Sequence, residues 1–450
     1  MELSKSIAEF VAAIEVGQLP ADVLEKARTS LLNSYGIALG CHATPYAPVA
    51  RRAAIAMDGE MAHGATLLGD GRKTSVAGAA LANSALFHGR AQEDTCGAAH
   101  FGAILVPLLT AMIEAHGYPV ERLIPALVAG YEAGGLLEVS YSPRTTPAGL
   151  RASPLYGAVA AAAAAARLMQ LPAERVAAAL SNAAAFAGGT LQSFDDGTDE
   201  WRYQVGVAGR IGYLAAHLAN AGSVSAPRAF EGRTGFVQAY ARTACDVEAL
   251  AARLGRDWSI HRVTFKPYPV CAFNQTPVTA ALQLRERIDD GAIRQVRVRM
   301  NPYETGYAGM DSKGPFRSLS GTLMSIPFCI ANTLRNGIPS VQNMTVYDDP
   351  DVNALIGRID LIPDESVNRL CCVIEVEMEN GARLAQEQLM TVADYAYDWD
   401  TVSALVRRVG AETGVPQQVY DQLEAFARAP GGTGVEPVLA CFRALPGAAA

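Results

Sequence analysis

The spacing of apolar residues predicts helices through almost all of the first 262 residues. In PADVLEKARTSLLNSYGIALG, apolar side chains recur at Val23, Ala27, Leu31 and Tyr35, which places them on one face of a helix. Gly40 follows this pattern and marks the end of the helix.

Three further stretches of this region show helical patterns, from Pro107 to Gly117, from Gly157 to Leu171 and from Val205 to Gly222. Proline at the first position and glycine just beyond the last are typical of helix ends. The second stretch is rich in alanine, and its small side chains allow neighbouring helices to approach closely. We expect this helix at the centre of a bundle.

The pattern changes after residue 264, where alternation with a period of two predicts strands. IRQVRVRM (residues 293–300) and CCVIEVEM (residues 371–378) alternate apolar with charged side chains, and Asn380-Gly381 predicts a type I′ hairpin turn. Helical patterns lie between these strands and again in the last fifty residues. The sequence therefore predicts a mainly α protein with a large all-helical domain (residues 1–264 and 401–450) and a smaller α+β domain (residues 265–400).

Composition and charge indicate which partners and which cellular compartment to expect. The 450 residues carry a formal net charge of −8 without a basic patch, so we expect no nucleic-acid partner. The N-terminal sequence lacks the pattern of a signal peptide, and no apolar run reaches the length that spans a bilayer. The eight cysteines lack the spacing of a disulfide framework, which indicates reduced thiols. We expect a cytoplasmic protein without membrane contact.

A polar stretch, HGRAQEDTCGAAHFG (residues 88–102), interrupts this apolar region. It brings Glu93, Asp94 and Thr95 close to His100, and a carboxylate beside an imidazole is suited to acid–base catalysis because each shifts the pKa of the other. A solvated loop is the alternative interpretation. A zinc site at Cys96 and His100 lacks a second pair of ligands at suitable spacing.

A second polar cluster, FKPYPVCAFNQTP (residues 265–277), places Lys266 on a corner made rigid by two prolines. A lysine there can bind a carboxylate or act with a lowered pKa, although a surface lysine at the end of an element is the simpler interpretation. Cys271 with Asn274 suggests a thiol nucleophile, but no histidine is near in sequence.

Two more clusters lie where Ala-rich helices begin. Arg151 precedes one of these helices, and Arg202 and Gln204 open another. Helix N-termini favour anions through their unpaired N–H groups, so these side chains can help to hold a carboxylate. Surface arginines at helix starts are the alternative.

Taken together and in this order, the clusters resemble the MmgE/PrpD family, which includes 2-methylcitrate dehydratase, cis-aconitate decarboxylase and iminodisuccinate epimerase. The resemblance rests on NSALFHG…EDT…H, GYEAG, KPYPVC and PFRSLSGTLMSIPFCIANTL, and it covers nearly the whole chain. It implies a homodimer, no cofactor and a polar site between a helical and an α+β domain. It also implies that residues 88–102 form the active-site loop.

The chain departs from the family pattern at several positions. Ala91 stands where the family has an aspartate, Arg151 where it has a histidine, and Gln204 where it has a lysine. A histidine usual after KPYPxC is replaced near Asn274-Gln275, whereas Thr95, His100 and Lys266 match. These changes argue against the usual hydratase reaction on a tricarboxylate.

We therefore predict a cofactor-free lyase or isomerase that removes a proton α to a carboxylate or carbonyl of a small carboxylic acid. The predicted catalytic residues are His100, with Asp94 as its partner, Thr95 and Lys266, and no metal ligands are predicted. The predicted substrate-binding residues are Arg151, Gln204, Gln275 and Tyr268. The alternatives are an isomerase or cyclase of a specialised pathway, and a non-catalytic paralogue that binds a ligand.

Overall fold

A computed structural model describes residues 2–288, 292–432 and 434–446. The first part of the chain is mainly helical. Its helices are α1 (Leu3–Ala13), α2 (Ala21–Leu39), α3 (Tyr46–Asp58), α4 (Val76–Phe87), α5 (Gly102–His116), α6 (Leu123–Thr145), α7 (Ala152–Leu168), α8 (Ala173–Phe186), α9 (Gln192–Asp195), α10 (Glu200–Asn220) and α11 (Val247–Ala251).

This helical part also contains two short pairs of strands, whereas we predicted an all-helical domain. β1 (Ala65–Thr66) pairs with β2 (Lys73–Thr74), and β3 (Thr95–Cys96) pairs with β4 (Val263–Thr264), both antiparallel. The second pair joins segments far apart in sequence, which no local pattern could have indicated.

The alanine-rich helix α7 lies at the centre of the bundle, as predicted. Each of its residues is buried, and it packs between α6 and α10. A Cβ atom on Gly212 of α10 would lie only 2.3 Å from the Cβ of Ala161 of α7, so the two helices meet almost backbone to backbone. Small side chains are what make this approach possible.

One segment, Val120–Thr145, is long and apolar enough to cross a membrane, contrary to our expectation that no such segment exists. It contains α6, and 89% of its most apolar window is buried inside the protein. Its apolar surface is therefore covered by neighbouring helices, as in a core helix.

Helix α5 corrects a predicted boundary. It begins at Gly102, and Pro107, the predicted first residue, lies inside it. Ile104, Leu105 and Val106 are fully buried, and their packing outweighs the one backbone hydrogen bond that the proline ring removes.

The smaller part of the chain combines helices with a four-stranded sheet. Its elements are α12 (Gln275–Arg285), β5 (Ile293–Met300), α13 (Pro302–Thr305), α14 (Leu319–Met324), α15 (Ile326–Asn336), α16 (Val341–Met344), α17 (Pro350–Ile356), β6 (Ile359–Pro363), β7 (Cys371–Met378) and β8 (Arg383–Leu389). The strand order is β6-β5-β7-β8, with β6 parallel to β5 and the other pairs antiparallel. The predicted fold class, a large helical part with a smaller α+β part, is confirmed.

The turn between β7 and β8 differs from the predicted type I′. Gly381 has a φ of +86°, but Asn380 lacks the positive φ that a type I′ turn requires. The N–H of Gly381 donates to the carbonyl of Met378, which closes a turn around Glu379 and Asn380. Only the last position of this turn, Gly381, needs a glycine.

The last helices return to the helical part. They are α18 (Trp399–Thr413), α19 (Gln417–Arg428) and α20 (Glu436–Arg443), and α18 and α19 pack on α2. The larger hydrophobic core accordingly collects side chains from residues 3–265 and 399–445. The second core lies in residues 270–378 but takes in Phe194 and Trp201 of the helical part, so these aromatic rings join the two parts.

Candidate active site

The pairing of β3 with β4 brings the polar loop of residues 88–102 against Lys266. Thr95 faces Thr264 in this pair, and Lys266 follows two residues later. Polar contacts fix the rest of the loop: Arg202 donates to the carbonyls of His88 (2.8 Å) and Gly89 (2.7 Å). The loop is buried and is not the solvated loop of the alternative interpretation.

The loop closes one side of a cavity of about 80 Å³. Its polar lining includes His88, Glu93, His100 and Lys266. Its apolar lining includes Phe194, Trp201, Phe273 and Leu323, which belong to the second hydrophobic core or pack against it. The cavity therefore lies where the helical part meets the smaller part.

Glu93 is the centre of the polar cluster. Its Oε1 lies 3.0 Å from His88 Nδ1, 2.9 Å from His100 Nδ1 and 3.0 Å from Lys266 Nζ, and the residue is 1% exposed. Burial alone would raise the pKa of Glu93, but His88, Lys266 and His100 together hold it well below its ordinary value. Glu93 is thus a buried carboxylate that stays ionised.

The protonation of His88 follows from its neighbours. Arg151 Nη2 lies 2.8 Å from His88 Nε2, and because a guanidinium only donates, Nε2 must accept. The hydrogen of the neutral ring is then on Nδ1, which lies beside Glu93 Oε1 although it is not aligned for a hydrogen bond. Burial lowers the pKa of His88 well below its ordinary value, so the ring is neutral.

In His100, the ring nitrogen that can accept a proton is Nε2. Its Nδ1 lies close to two acceptors, Glu93 Oε1 and the backbone carbonyl of Asp94 at 3.2 Å, so Nδ1 carries the hydrogen. Nε2 is left with a lone pair on a ring that lines the cavity. Burial, with the charge of Lys266, lowers the pKa of His100 below its ordinary value. A neutral imidazole of this kind can accept a proton.

Lys266 places a positive charge in the cavity beside His100. It is 3% exposed, and one of its three N–H donors is directed to Glu93. The other two donors are available to an anionic group in the cavity. Lys266 and His100 both contact Oε1 of Glu93, so the ammonium group and the imidazole ring lie close enough to contact the same small ligand.

Asp94, the predicted partner of His100, does not hold that position with its side chain. Its carboxylate accepts from the Tyr131 hydroxyl and lies against the start of α5, and burial raises its pKa to about 6. Glu93 holds the position instead. Successive side chains of an extended loop point in opposite directions, so only one of these adjacent carboxylates can face the cavity.

Arg151 and Gln204 lie behind the cavity and are not among its lining residues. Arg151 Nη1 donates to the Trp201 carbonyl and to Gln204 Oε1, while Nη2 is directed to His88. Burial lowers the pKa of Arg151 to about 10, which leaves it charged at neutral pH. The structure therefore places Arg151 as a support for His88 rather than as a contact for substrate.

Gln275 and Tyr268 also lie outside this cavity. The Gln275 side chain bonds to the backbone of Tyr268, Val270 and Cys271, so it fixes the shape of the segment that follows Lys266. Neither of these two predicted substrate-binding residues lines this cavity, although Gln275 lines a larger cavity next to it.

Thr95 and Cys271 line the cavity. The Thr95 hydroxyl shares a hydrogen bond of 2.7 Å with Thr264. Burial raises the pKa of Cys271 to about 11, so its thiol is protonated at neutral pH and unsuited to nucleophilic attack. Cys96 faces away from His100 and donates to the Ser259 carbonyl.

His88, Glu93, Tyr307 and Arg369 line the cavity but were not among the predicted site residues, although Glu93 was one of the carboxylates noted beside His100. His88 and Glu93 lie in the loop that the sequence singled out, but its composition does not say which side chains turn inward. Tyr307 and Arg369 come from the smaller part of the chain and carried no local signal.

Among the residues that the structure describes, His88, Glu93 and His100 form a group of three possible metal ligands within 4.8 Å of one another. The donor set does not fit a metal ion. His88 Nε2 already accepts from Arg151, and the Lys266 ammonium lies against the only shared carboxylate oxygen. A divalent cation there would face two fixed positive charges.

Comparison with protein families gives two consecutive matches. Residues 5–246 match the MmgE/PrpD N-terminal domain, and residues 268–393 match the MmgE/PrpD C-terminal domain. Residues 247–267, which include Lys266, lie between the two matches.

Curated relatives are fungal proteins of modest identity. The cis-aconitate decarboxylase-like protein oryM of Aspergillus oryzae is 27% identical over 281 residues, which cover 59% of this chain and 58% of the relative. The cis-aconitate decarboxylase of Aspergillus terreus is 25% identical over 369 residues, which cover 77% of this chain and 74% of the relative. The chain thus spans less than two thirds of the first of these proteins.

Proposed function

Because the chain belongs to the MmgE/PrpD family, we propose that it is a lyase or isomerase that removes a proton α to a carboxylate of a small carboxylic acid. The observation that carries the proposal is His100. Its Nδ1 is held by Glu93 and the Asp94 carbonyl, and its unprotonated Nε2 belongs to a ring that lines the cavity beside Lys266.

The proposed first step is the transfer of the α proton of the substrate to His100 Nε2. The electron pair of the broken C–H bond moves toward the carboxylate, whose oxygens gain negative charge. Lys266 stabilises this charge with donors that are already in place. Glu93 stabilises the imidazolium that forms.

The second step follows from the proton now on His100. If the substrate has a leaving hydroxyl on the adjacent carbon, imidazolium can protonate it and an alkene forms. If no group leaves, return of a proton to the α carbon gives exchange or epimerisation. Both outcomes use only side chains of this chain and need no cofactor.

The relatives named above support a polycarboxylic substrate, since both carry cis-aconitate in their names. The test is to incubate the purified protein in deuterium oxide with methylcitrate, citrate, cis-aconitate and amino-dicarboxylates, and to follow each compound by NMR. We expect turnover or deuterium at the α carbon for at least one of them. No turnover and no exchange on any compound would contradict the proposal.

One observation favours a second candidate, binding of a ligand without turnover. Ala91 lines the cavity at the position where the family resemblance places an aspartate, so a carboxylate expected near the reacting atoms is absent. In that case cis-aconitate or a similar acid would bind but show neither turnover nor exchange. Calorimetric binding measured beside the NMR experiment separates the two functions.

A further inference from the structure

A second, much larger cavity adjoins the one at His100. It measures about 660 Å³, a volume typical of sites for small organic molecules. Both cavities are lined by Thr95, Gly97, Lys266, Ala272, Phe273 and Arg369. We call the larger one the outer cleft, and these six shared residues form its junction with the inner cavity.

The wall of the outer cleft is mostly apolar. Val139 and Phe265 line it from the helical part, and Leu370, Leu389 and Met390 line it from the smaller part. The side chains at its rim are unusually open to solvent, with Leu389 66% and Val392 51% exposed. Apolar side chains that continue from an enclosed cleft to an open rim are expected where an apolar group binds.

The charged side chains shared by the two cavities are both cations, whereas Glu138 and Arg262 line the outer cleft away from the junction. Lys266 and Arg369 border both cavities, and the Arg369 guanidinium lies over the Tyr303 ring, 4.1 Å from its centroid. These two cations could hold the anionic group of a substrate at the junction. One end of that substrate would then reach toward His100, and the other end would lie along Phe273 in the outer cleft.

We infer that the substrate is a carboxylic acid with a hydrocarbon extension of several carbons, whose carboxylate is held at the junction and whose extension lies in the outer cleft. This inference rests on the proposed function, because it uses the inner cavity as the place of reaction. With the extension in the outer cleft, only the reacting end of the substrate has to enter the inner cavity, so a volume of about 80 Å³ is sufficient.

The test compares the binding of 2-methylsuccinate with that of 2-octylsuccinate to the purified full chain by calorimetry. Each fully buried methylene strengthens binding about fourfold. We expect 2-octylsuccinate to bind at least tenfold more tightly, with one molecule bound per chain, even if the rim leaves part of the octyl group in water.

A double variant, Leu389→Asp with Val392→Asp, removes the apolar rim at two exposed positions, so folding should be unaffected. We expect it to abolish the tenfold gain while the affinity for 2-methylsuccinate stays within about twofold. The matched control is Ile338→Asp with Val346→Asp, two exposed apolar residues that do not line the cleft, and it should keep the full gain.

Equal affinities of the two compounds for the unmodified protein would overturn the inference and leave the proposed function standing. A gain that survives in the Leu389→Asp/Val392→Asp variant would also overturn it, because the octyl group would then bind elsewhere, for example between two copies of the chain. If neither compound binds, the carboxylate site at the junction is wrong and the inference falls, whereas the deuterium-exchange experiment decides the proposed function separately.

Discussion

At the scale of single residues, the site depends on a chain of contacts in which each group fixes the next. Arg151 determines which nitrogen of His88 accepts, Glu93 lies against both histidines, and His100 is left with its lone pair on Nε2. Three of these four residues are almost completely buried. Their loss should therefore affect stability and protonation in ways that a surface residue would not.

Arg151→Ala should destabilise the protein rather than only weaken substrate binding. It leaves His88 Nε2 and the Trp201 carbonyl without their donor inside the protein, which costs about 1.5–3 kcal/mol of the free energy of unfolding. Urea denaturation measures this loss. Arg144→Ala, at an exposed position near the end of α6, is the control and should change the free energy by less than about 0.5 kcal/mol. An Arg151→Ala protein as stable as the unmodified one would contradict the assigned contacts.

Glu93→Gln should shift the pH dependence of activity. In the unmodified protein burial and Lys266 lower the pKa of His100, and the charge of Glu93 opposes them. Without that charge the pKa falls further, so the acidic limb of kcat/KM, where His100 becomes protonated, should move to lower pH. We also expect kcat to fall about tenfold or more, because the ring loses its partner. Glu379→Gln, an exposed site, should leave the profile unchanged, and an upward shift in Glu93→Gln would refute the role of Glu93.

At the scale of elements, periodic patterns predicted the structure well wherever packing follows the local sequence. The strand predicted at residues 293–300 is β5, and the alanine-rich helix is the central helix α7. The start of α5 was wrong because burial of three residues before Pro107 outweighs the proline, a tertiary effect.

The candidate site was predictable only in part, for a similar reason. The sequence showed that residues 88–102 and Lys266 carry unusual polar groups, and the structure brings them together through the β3–β4 pair. It did not show that Glu93 rather than Asp94 turns toward His100, because that depends on a backbone turn at Ala91, whose φ is +54°. Nor could it show Arg369, which reaches the cavity from the smaller part.

Gly212→Ala tests the close packing of α10 on α7. Alanine favours an isolated helix over glycine by about 1 kcal/mol, but here its Cβ would lie 2.5 Å from the backbone carbon of Ala161. Backbone cannot move aside cheaply, so we expect a net loss of about 1–3 kcal/mol in the free energy of unfolding. Gly17→Ala, where a Cβ meets nothing within 4 Å, is the control for the measurement by urea denaturation. A stabilised Gly212→Ala protein would show that the two helices lie farther apart.

At the scale of the whole molecule, we propose that two copies associate as a homodimer, which the family resemblance implies. One face of α10 carries three exposed apolar residues at intervals of seven and four, namely Val207 (45% exposed), Leu214 (50%) and Leu218 (36%). Such a stripe is typical of a face that packs against another protein surface.

Light scattering at micromolar concentration should give the mass of a dimer. Leu214→Glu with Leu218→Glu should give the mass of a monomer, because burying two carboxylates between copies is costly. Val346→Glu, exposed on the smaller part, should leave the dimer intact. A monomer mass for the unmodified protein would exclude this arrangement.

The central claim is that His100 removes the α proton, and the rate of deuterium exchange at the α carbon measures it most directly. On whichever acid the unmodified protein turns over or exchanges, His100→Ala should slow exchange by about a hundredfold or more, since a positioned general base contributes about that much. His261→Ala changes an exposed histidine that pairs with Asp22 and does not line the cavity, so this variant should exchange at the unmodified rate. Exchange by His100→Ala at the rate of the unmodified protein would contradict the account.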